Sequence, residues 1–337
     1  MEENDERVSE DSFISYPAAR FQVLHAPNTP PSYVPQYKIN PSSRAYHHIT
    51  EKVNEWFRTG RTVLFNSAMQ PGGIPHATYN MPLLCVLATN PDGSEKKARV
   101  CADARGVNVN IIDNKFPLPD IRALQTKMMG KKYFTELDLT SAFLQFPVDE
   151  TTQYKLAFTW AGRTYCFAAA PFGLKPLSAH CQQIMMQLFA DFDDFLNPYV
   201  DNLAIFSDTL EEHERHVALV IQRCTEWNVR LSLEKCKDKL VCTSIKTLGS
   251  VIAHGSLSAD PDKIASASSW PQPTTGKELL SFLSFCSYMR HHVRHYADLS
   301  APLHTLSAKY TSKQNSKQKI ICSNQKCMKF LMSRNLD

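Results

Sequence analysis

Apolar residues recur at helical spacing over 45–58, where Ile49, Val53 and Trp56-Phe57 share one face, so a helix is expected there. Residues 59–80 lack a period and carry Pro71-Gly72-Gly73 and Pro75, which marks a loop. Leu83-Leu84-Cys85-Val86-Leu87 and Ala98-Arg99-Val100-Cys101-Ala102 read as hairpin strands joined across Asn90-Pro91-Asp92-Gly93. Pro119-Asp120 precedes a helix over 121–129, and 133–139 alternates like a strand. A second hairpin is expected over 152–168, turning at Ala161-Gly162-Arg163, followed by a long helix over 176–192. Residues 197–207 then read as two short apolar strands with the polar pair Asp201-Asn202 at the tip, because Asp and Asn both tolerate positive φ.

Thr209-x-x-Glu212 is a capping box, and its helix carries Val217, Val220, Ile221 and Cys224 at apolar positions. Strands are expected over 231–233 and 247–252. A second capping box, Thr275-x-x-Glu278, opens a helix that buries Leu279, Phe282, Leu283 and Cys286. Residues 1–40 are polar and rich in proline and read as an extended, disordered leader. Hairpins with long helices between them predict an α+β fold rather than a doubly wound parallel sheet.

Composition adds bounds. The chain has 337 residues, 43% of them hydrophobic, which is ample for a buried core. Net charge is +4, which permits a polyanionic partner without requiring one. The charge is uneven: residues 1–12 hold six acids against Arg7, and 309–337 hold seven bases against Asp337, so both ends read as solvated tails. Ten cysteines show no C-x2-C spacing, which predicts free thiols in a reducing, intracellular compartment. No apolar run reaches membrane-spanning length, and no membrane partner is expected.

The candidate chemistry rests on two aspartates 63 residues apart. Asp138 closes an apolar strand, and Asp201 sits on the central hairpin. Carboxylates at neighbouring strand ends suit hard divalent cations, and two Mg²⁺ ions about 4 Å apart clamp the attacking and leaving oxygens of a phosphoryl transfer. Each aspartate alone reads as an ordinary turn or cap residue, and spacing alone does not pair them. His291-His292-Val293-Arg294-His295 lacks the glutamate of a zinc-protease helix and reads as a weakly cationic face.

Several segments in order resemble reverse transcriptases. Tyr199-Val200-Asp201-Asn202 resembles their Tyr-x-Asp-Asp signature, and the strand from Phe134 through Asp138 to Gln145 resembles their first catalytic strand. Pro171-Phe172-Gly173-Leu174 resembles the segment behind the incoming nucleotide, and the stretch from Arg99 to Asn108 the fingers motif. Leu231 to Cys236 and Thr247 to Ile252 are similar to later palm motifs, and the segment from Trp270 to Leu283 to the thumb of gypsy-type LTR retrotransposon polymerases. The similarity runs from about residue 31 to 308.

The resemblance implies a right-handed fingers–palm–thumb polymerase extending a primer on an RNA or DNA template with deoxynucleoside triphosphates (dNTPs). After a leader over 1–40, it implies fingers over 41–113 and 146–176, palm over 114–145 and 177–257, a thumb start over 258–308 and a basic tail over 309–337. It makes Asp138, Asp201 and Asn202 ligands of two Mg²⁺ ions, with Mn²⁺ an alternative, and Lys235 the general acid. Arg99, Phe143, Gln145, Phe172 and Gly173 would meet the nucleotide, with Phe143 as the gate below the sugar. Tyr199, Leu248 and Gly249 would meet the primer.

The pattern departs from the family at three places. Asn202 stands where a third carboxylate is expected, which implies reduced activity or, as an alternative, an inactive remnant that binds primer–template. Ala88-Thr89-Asn90 replaces basic residues before the fingers turn, and Lys175-Pro176-Leu177-Ser178 replaces an Asn-Ala-Pro pattern. No ribonuclease H acids are recognisable towards the end, so an isolated polymerase segment is expected.

Overall fold

A computed structural model gives the fold of residues 13–88, 98–268, 270–288 and 290–310, and these are the described residues. In chain order the elements are α1 (Arg44–Arg58), β1 (Thr62–Leu64), β2 (Leu83–Val86), β3 (Arg99–Ala102), α2 (Arg105–Asn110), α3 (Ile121–Met129), β4 (Tyr133–Asp138), β5 (Ala157–Trp160) and β6 (Arg163–Phe167). They continue with α4 (Leu177–Leu188), β7 (Leu196–Tyr199), β8 (Asn202–Ser207), α5 (Leu210–Glu226), α6 (Leu233–Cys236), β9 (Ser244–Thr247), β10 (Ser250–Ala253), β11 (Ser256–Ala259), α7 (Pro261–Ser268), α8 (Gly276–Tyr288) and α9 (Tyr296–Tyr310). The chain divides into two units, Met1–Pro119 with Thr135–Leu240, and Asp120–Phe134 with Val241–Asp337. The division at Leu240 falls inside the segment 177–257 expected as one piece.

The first unit is built on sheets of order β1-β6-β5, β2-β3 and β4-β8-β7. The β5–β6 turn is Ala161-Gly162, both at positive φ (47° and 77°), which matches the strand twist. α1 starts where the Ser43 side chain accepts from the Tyr46 N–H, and it buries Ile49, Val53 and Trp56. Trp56 meets Phe167 edge-on at 5.2 Å and Phe158 at 6.3 Å, and both phenylalanines are fully buried. Each such side chain contributes about 1.5–3 kcal/mol of burial free energy. α5 opens on the expected Thr209–Glu212 capping box.

The leader is a correction. Residues 13–40 are largely extended, as expected, apart from a 3-10 turn at Pro17–Ala19, but they are not a loose tail. Ile14, Ala19, Phe21 and Val23 are buried in the core. The Ile14 N–H donates to the Gln145 carbonyl at 2.9 Å, and Phe21 pairs with Val148 in a parallel bridge. The sequence hides this because the buried residues are spaced among prolines and polar residues rather than in a regular period. Residues 1–12, 89–97 and 311–337, with the expected turn across Asn90 to Gly93 and most of the basic tail, lie outside the described residues.

The second unit holds the sheet β11-β10-β9 and the α8–α9 pair. Leu279, Phe282, Leu283 and Cys286 of α8 pack with Leu303 of α9, as the periodicity of α8 implied. Thr275 and Glu278 form the expected box: the Glu278 N–H donates to Thr275 Oγ1 and the Thr275 N–H to Glu278 Oε2, both at 3.3 Å. His291 and His292 lie on a short 3-10 turn rather than a helix face, with His292 Nε2 3.1 Å from Ser250 Oγ.

Two expected strands change form. Residues 231–233 give only an isolated bridge, Leu231 to Leu139, before α6 begins. The strand over 247–252 is two strands, β9 and β10, split by the turn Leu248-Gly249.

Candidate active site

Asp138 ends β4, and the next residue fixes what it faces. The Leu139 N–H donates to the Asp201 carbonyl at 3.0 Å, so the two aspartates stand at adjoining ends of one sheet. On the other side, the Ser232 N–H donates to the Asp138 carbonyl at 2.8 Å, and the Asp138 N–H donates to Cys236 Sγ at 3.3 Å. The start of α6 is thereby fastened to the Asp138 backbone. Lys235 lies exposed on this short helix.

The hairpin tip differs from expectation by one residue. Tyr199 pairs with Asn202, so the turn is Val200-Asp201 and Asn202 belongs to β8. The positive φ falls on Val200, at 54°, a conformation that β-branched residues rarely adopt. Neighbours hold it there. The Val200 N–H donates to Gln182 Oε1 at 2.8 Å, Gln182 Nε2 donates to the Pro198 carbonyl at 2.9 Å, and Cys181 Sγ donates to the Val200 carbonyl at 3.3 Å. Gln182 and Cys181 are fully buried on α4. Burial pushes the Cys181 thiol well above its usual range, with the Asp201 charge adding to the effect, so it stays a neutral donor.

Glu136 and Asp138 occupy the same face of β4, two residues apart. The ammonium of Lys239 bridges them, bonding Glu136 Oε1 and, at 2.8 Å, Asp138 Oδ2. Glu136 is only 2% exposed, and its Oε2 has no hydrogen-bond partner. Burial alone would lower the Lys239 pKa, but the bonds to Asp138 and Glu136 outweigh it and raise it. Sequence reasoning missed Glu136, Lys239, Gln182, Cys181 and Cys236. Only Glu136 carried a signal, the two-residue period from Asp138.

The residues expected to meet the nucleotide fall into distinct settings. Arg99 is exposed on β3, opposite Val86. Phe143 meets Phe172 edge-on at 5.2 Å, and Phe172 is 47% exposed. Gly173 has φ +97°, open to glycine and rare elsewhere, and its carbonyl accepts from Asn108 Nδ2 at 2.7 Å. Gln145 is a correction. It is fully buried, its Nε2 donates to the Thr140 and Arg230 carbonyls at 2.7 and 2.9 Å, and its Oε1 accepts from the Arg230 N–H at 2.7 Å. Both donors serve the backbone, so Gln145 braces the loop after Asp138 and does not reach a nucleotide.

Tyr199 is half-buried at the end of β7. Leu248 and Gly249 belong to the second unit. They form a turn with φ of 48° and 79°, and Gln125 Nε2 of α3 donates to the Leu248 carbonyl at 3.2 Å. A Cβ on Gly249 would stand 2.1 Å from Oη of the exposed Tyr288 side chain, so a larger residue would have to displace that ring as well as adopt a positive φ.

The donors at the strand ends are all oxygens, the type hard divalent cations prefer. Asn202 Oδ1 is buried and accepts no hydrogen bond, an acceptor that a cation would satisfy. Among the described residues, no three His, Cys, Asp or Glu group as a metal cluster, and the expected donors, Asp138, Asp201 and Asn202, are two carboxylates and an amide. It fits such a cation in donor type and is poor in charge.

Residues 89–252 match the reverse transcriptase (RNA-dependent DNA polymerase) family. The Pol polyprotein of transposon opus of Drosophila melanogaster is 32% identical over 260 residues, 76% of this chain and 25% of that protein. The Pol polyprotein of transposon gypsy, from the same organism, is 28% identical over 72% of this chain and 23% of its own length. The chain thus spans about a quarter of these curated relatives. A foamy viral protease–reverse transcriptase solved with double-stranded DNA superposes with a TM-score of 0.75 at 21% identity, covering 93% of this chain and 53% of that one. The likeness shows the fold, an α+β polymerase of the fingers–palm–thumb type. The chain belongs to the reverse transcriptase family, and its relatives are the Pol polyproteins of gypsy-type LTR retrotransposons.

Proposed function

We propose that this chain is an RNA-directed DNA polymerase domain that extends a primer with dNTPs. The observation that carries the reading is the 3.0 Å bond from Leu139 to the Asp201 carbonyl, which brings the ends of two carboxylate-bearing strands together. Asp138, Asp201 and the Asn202 amide oxygen would hold two Mg²⁺ ions, or Mn²⁺. When bound, these supply Lewis acidity to the primer hydroxyl and offset charge on the triphosphate.

The chain's own residues do the rest. The Arg99 guanidinium offers a planar donor fork to phosphate. The Phe143 ring, braced by Phe172, would clash with a 2′-hydroxyl and so favours deoxynucleotides. Lys235 would donate a proton to the departing pyrophosphate. Tyr199 would meet the primer, as would the Leu248-Gly249 turn of the second unit. A primer–template partner is supported by the solved relatives, whose complexes contain double-stranded DNA and an RNA/DNA hybrid. The retrotransposon relatives support an intracellular site of action. Asn202 removes one negative charge, and each ~1.4 kcal/mol of lost transition-state stabilisation slows the rate tenfold.

A second reading is a polymerase-fold remnant that binds primer–template without extending it. It is favoured by Asn202 and by the Lys239 ammonium already on Asp138. Primer extension on an RNA template with Mg²⁺ or Mn²⁺ separates the two. Extension above an Asp138→Ala control supports the polymerase. Extension by Asn202→Asp alone supports the remnant. Absence of salt-dependent primer–template binding would sink both.

A further inference from the structure

A fixed cation sits where a mobile one is needed. Lys239 Nζ lies 2.8 Å from Asp138 Oδ2 and also bonds Glu136 Oε1. A divalent ion entering at Asp138 meets that ammonium at bonding distance, and the like charges exclude one another. The ammonium therefore has to leave Asp138. Glu136 offers it somewhere to go: its carboxylate is 2% exposed and Oε2 is unpartnered, so it can take the ammonium on both oxygens. Lys239 is free to make that short move, because its side chain is 34% exposed and sits on the 3-10 turn Lys237–Lys239. A buried carboxylate left without a counter-charge is costly, so Glu136 holds the ammonium inside the site.

We propose that Lys239 is a tethered counter-ion that occupies Asp138 in the metal-free chain and shifts onto Glu136 when a divalent cation binds, so that the Glu136–Lys239 pair sets cation affinity at Asp138. The proposal rests on the reading of Asp138 as a metal ligand. It makes Glu136 and Lys239 positioning residues, which act through Asp138 and need not touch substrate.

The two variants to compare share one change, so folding effects of that change cancel. In Glu136→Gln, Lys239 keeps only Asp138 as an anionic partner and competes harder. In Glu136→Gln with Lys239→Met, the competitor is gone and the buried pair becomes neutral. Mn²⁺ binding to the full chain, read from loss of the free-ion electron paramagnetic resonance signal, needs no activity. The expected order is the double variant tightest, by about tenfold over wild type, an equivalent of ~1.4 kcal/mol, and the single variant weakest. Equal affinities in the double and single variants, or no binding by the double variant, overturn the proposal. Mn²⁺ binding by the double variant that survives Asp138→Asn overturns the reading of Asp138 as well. Loss of binding on Asp138→Asn, with equal affinities otherwise, overturns the counter-ion role alone.

Discussion

Gln182 holds Val200 in a conformation that valine does not choose. The Val200 N–H donates to Gln182 Oε1 at 2.8 Å while the Gln182 amide donates to Pro198 at 2.9 Å, so one buried side chain spans the turn that carries Asp201. With φ at 54°, Val200 stores of order 1–3 kcal/mol of backbone strain that these bonds must hold.

Gln182→Met keeps the volume and deletes the clamp. It leaves the N–H of half-buried Val200 and the carbonyl of half-buried Pro198 without that partner, at a cost of about 1 kcal/mol or more. A urea titration reads this as a lower midpoint at unchanged slope. Primer extension is expected to fall further than stability alone explains, because the Asp201 turn loses its register. An unchanged midpoint would show that the turn holds itself.

Asn202→Asp is expected to act in opposite directions with and without metal. Asn202 Oδ1 is buried and accepts nothing, so a carboxylate there adds an uncompensated charge beside Asp201 and lowers the melting temperature in chelator. Mg²⁺ or Mn²⁺ binds the folded form of the variant more tightly and raises its melting temperature more than that of wild type. Equal metal-induced shifts in the two proteins would argue against a cation at this position.

Gly249→Ala tests the turn of the second unit. The new Cβ meets Tyr288 Oη at 2.1 Å and sits on a backbone with φ +79°. The φ component costs about 1–2 kcal/mol for an L-residue and no neighbour relieves it, while the clash is relieved by Tyr288→Ala. The destabilisation by Gly249→Ala is therefore expected to shrink, without vanishing, in the Tyr288→Ala background, a coupling that a double-mutant cycle measures.

Much of this architecture was legible. α3 and the helix buried through Leu279 and Phe282 follow from caps and period, and α1 extends its expected start by one residue. The aspartates were legible as a pair only through the ordered motifs around them, because strand neighbours 63 residues apart leave no local trace. The central turn was misread by one position because Asp and Asn satisfy turn preferences that Val does not. Tertiary bonds from Gln182 override that preference, and nothing in the sequence ties residue 182 to residue 200. Gln145 was misread for a related reason: a motif position gives a residue's place, and only its partners show that its amide serves the backbone. Glu136 was within reach, since strand alternation already put it on the face of Asp138.

The packed leader carries its own pH sensitivity. His25 sits beside Tyr79, with Nδ1 3.1 Å from the phenol oxygen, and its Nε2 is buried without a partner. Burial first, and the Lys155 charge second, lower its pKa from 6.5 to about 4. Between those values the unfolded chain binds a proton that the folded chain refuses, so stability rises with pH across that window. The contribution is whole above pH 6.5 and is lost as pH falls towards 4. Burial of His180 lowers its pKa in the same direction, so the two histidines add. Urea midpoints measured from pH 7.5 to 4.5, about one unit beyond the histidine range at the upper end, are expected to fall more steeply for wild type than for His25→Gln. The glutamine keeps a polar group near Tyr79 and cannot take up the proton. Parallel profiles for the two proteins would show that His25 is protonated equally in both states and that the leader does not bury it in solution.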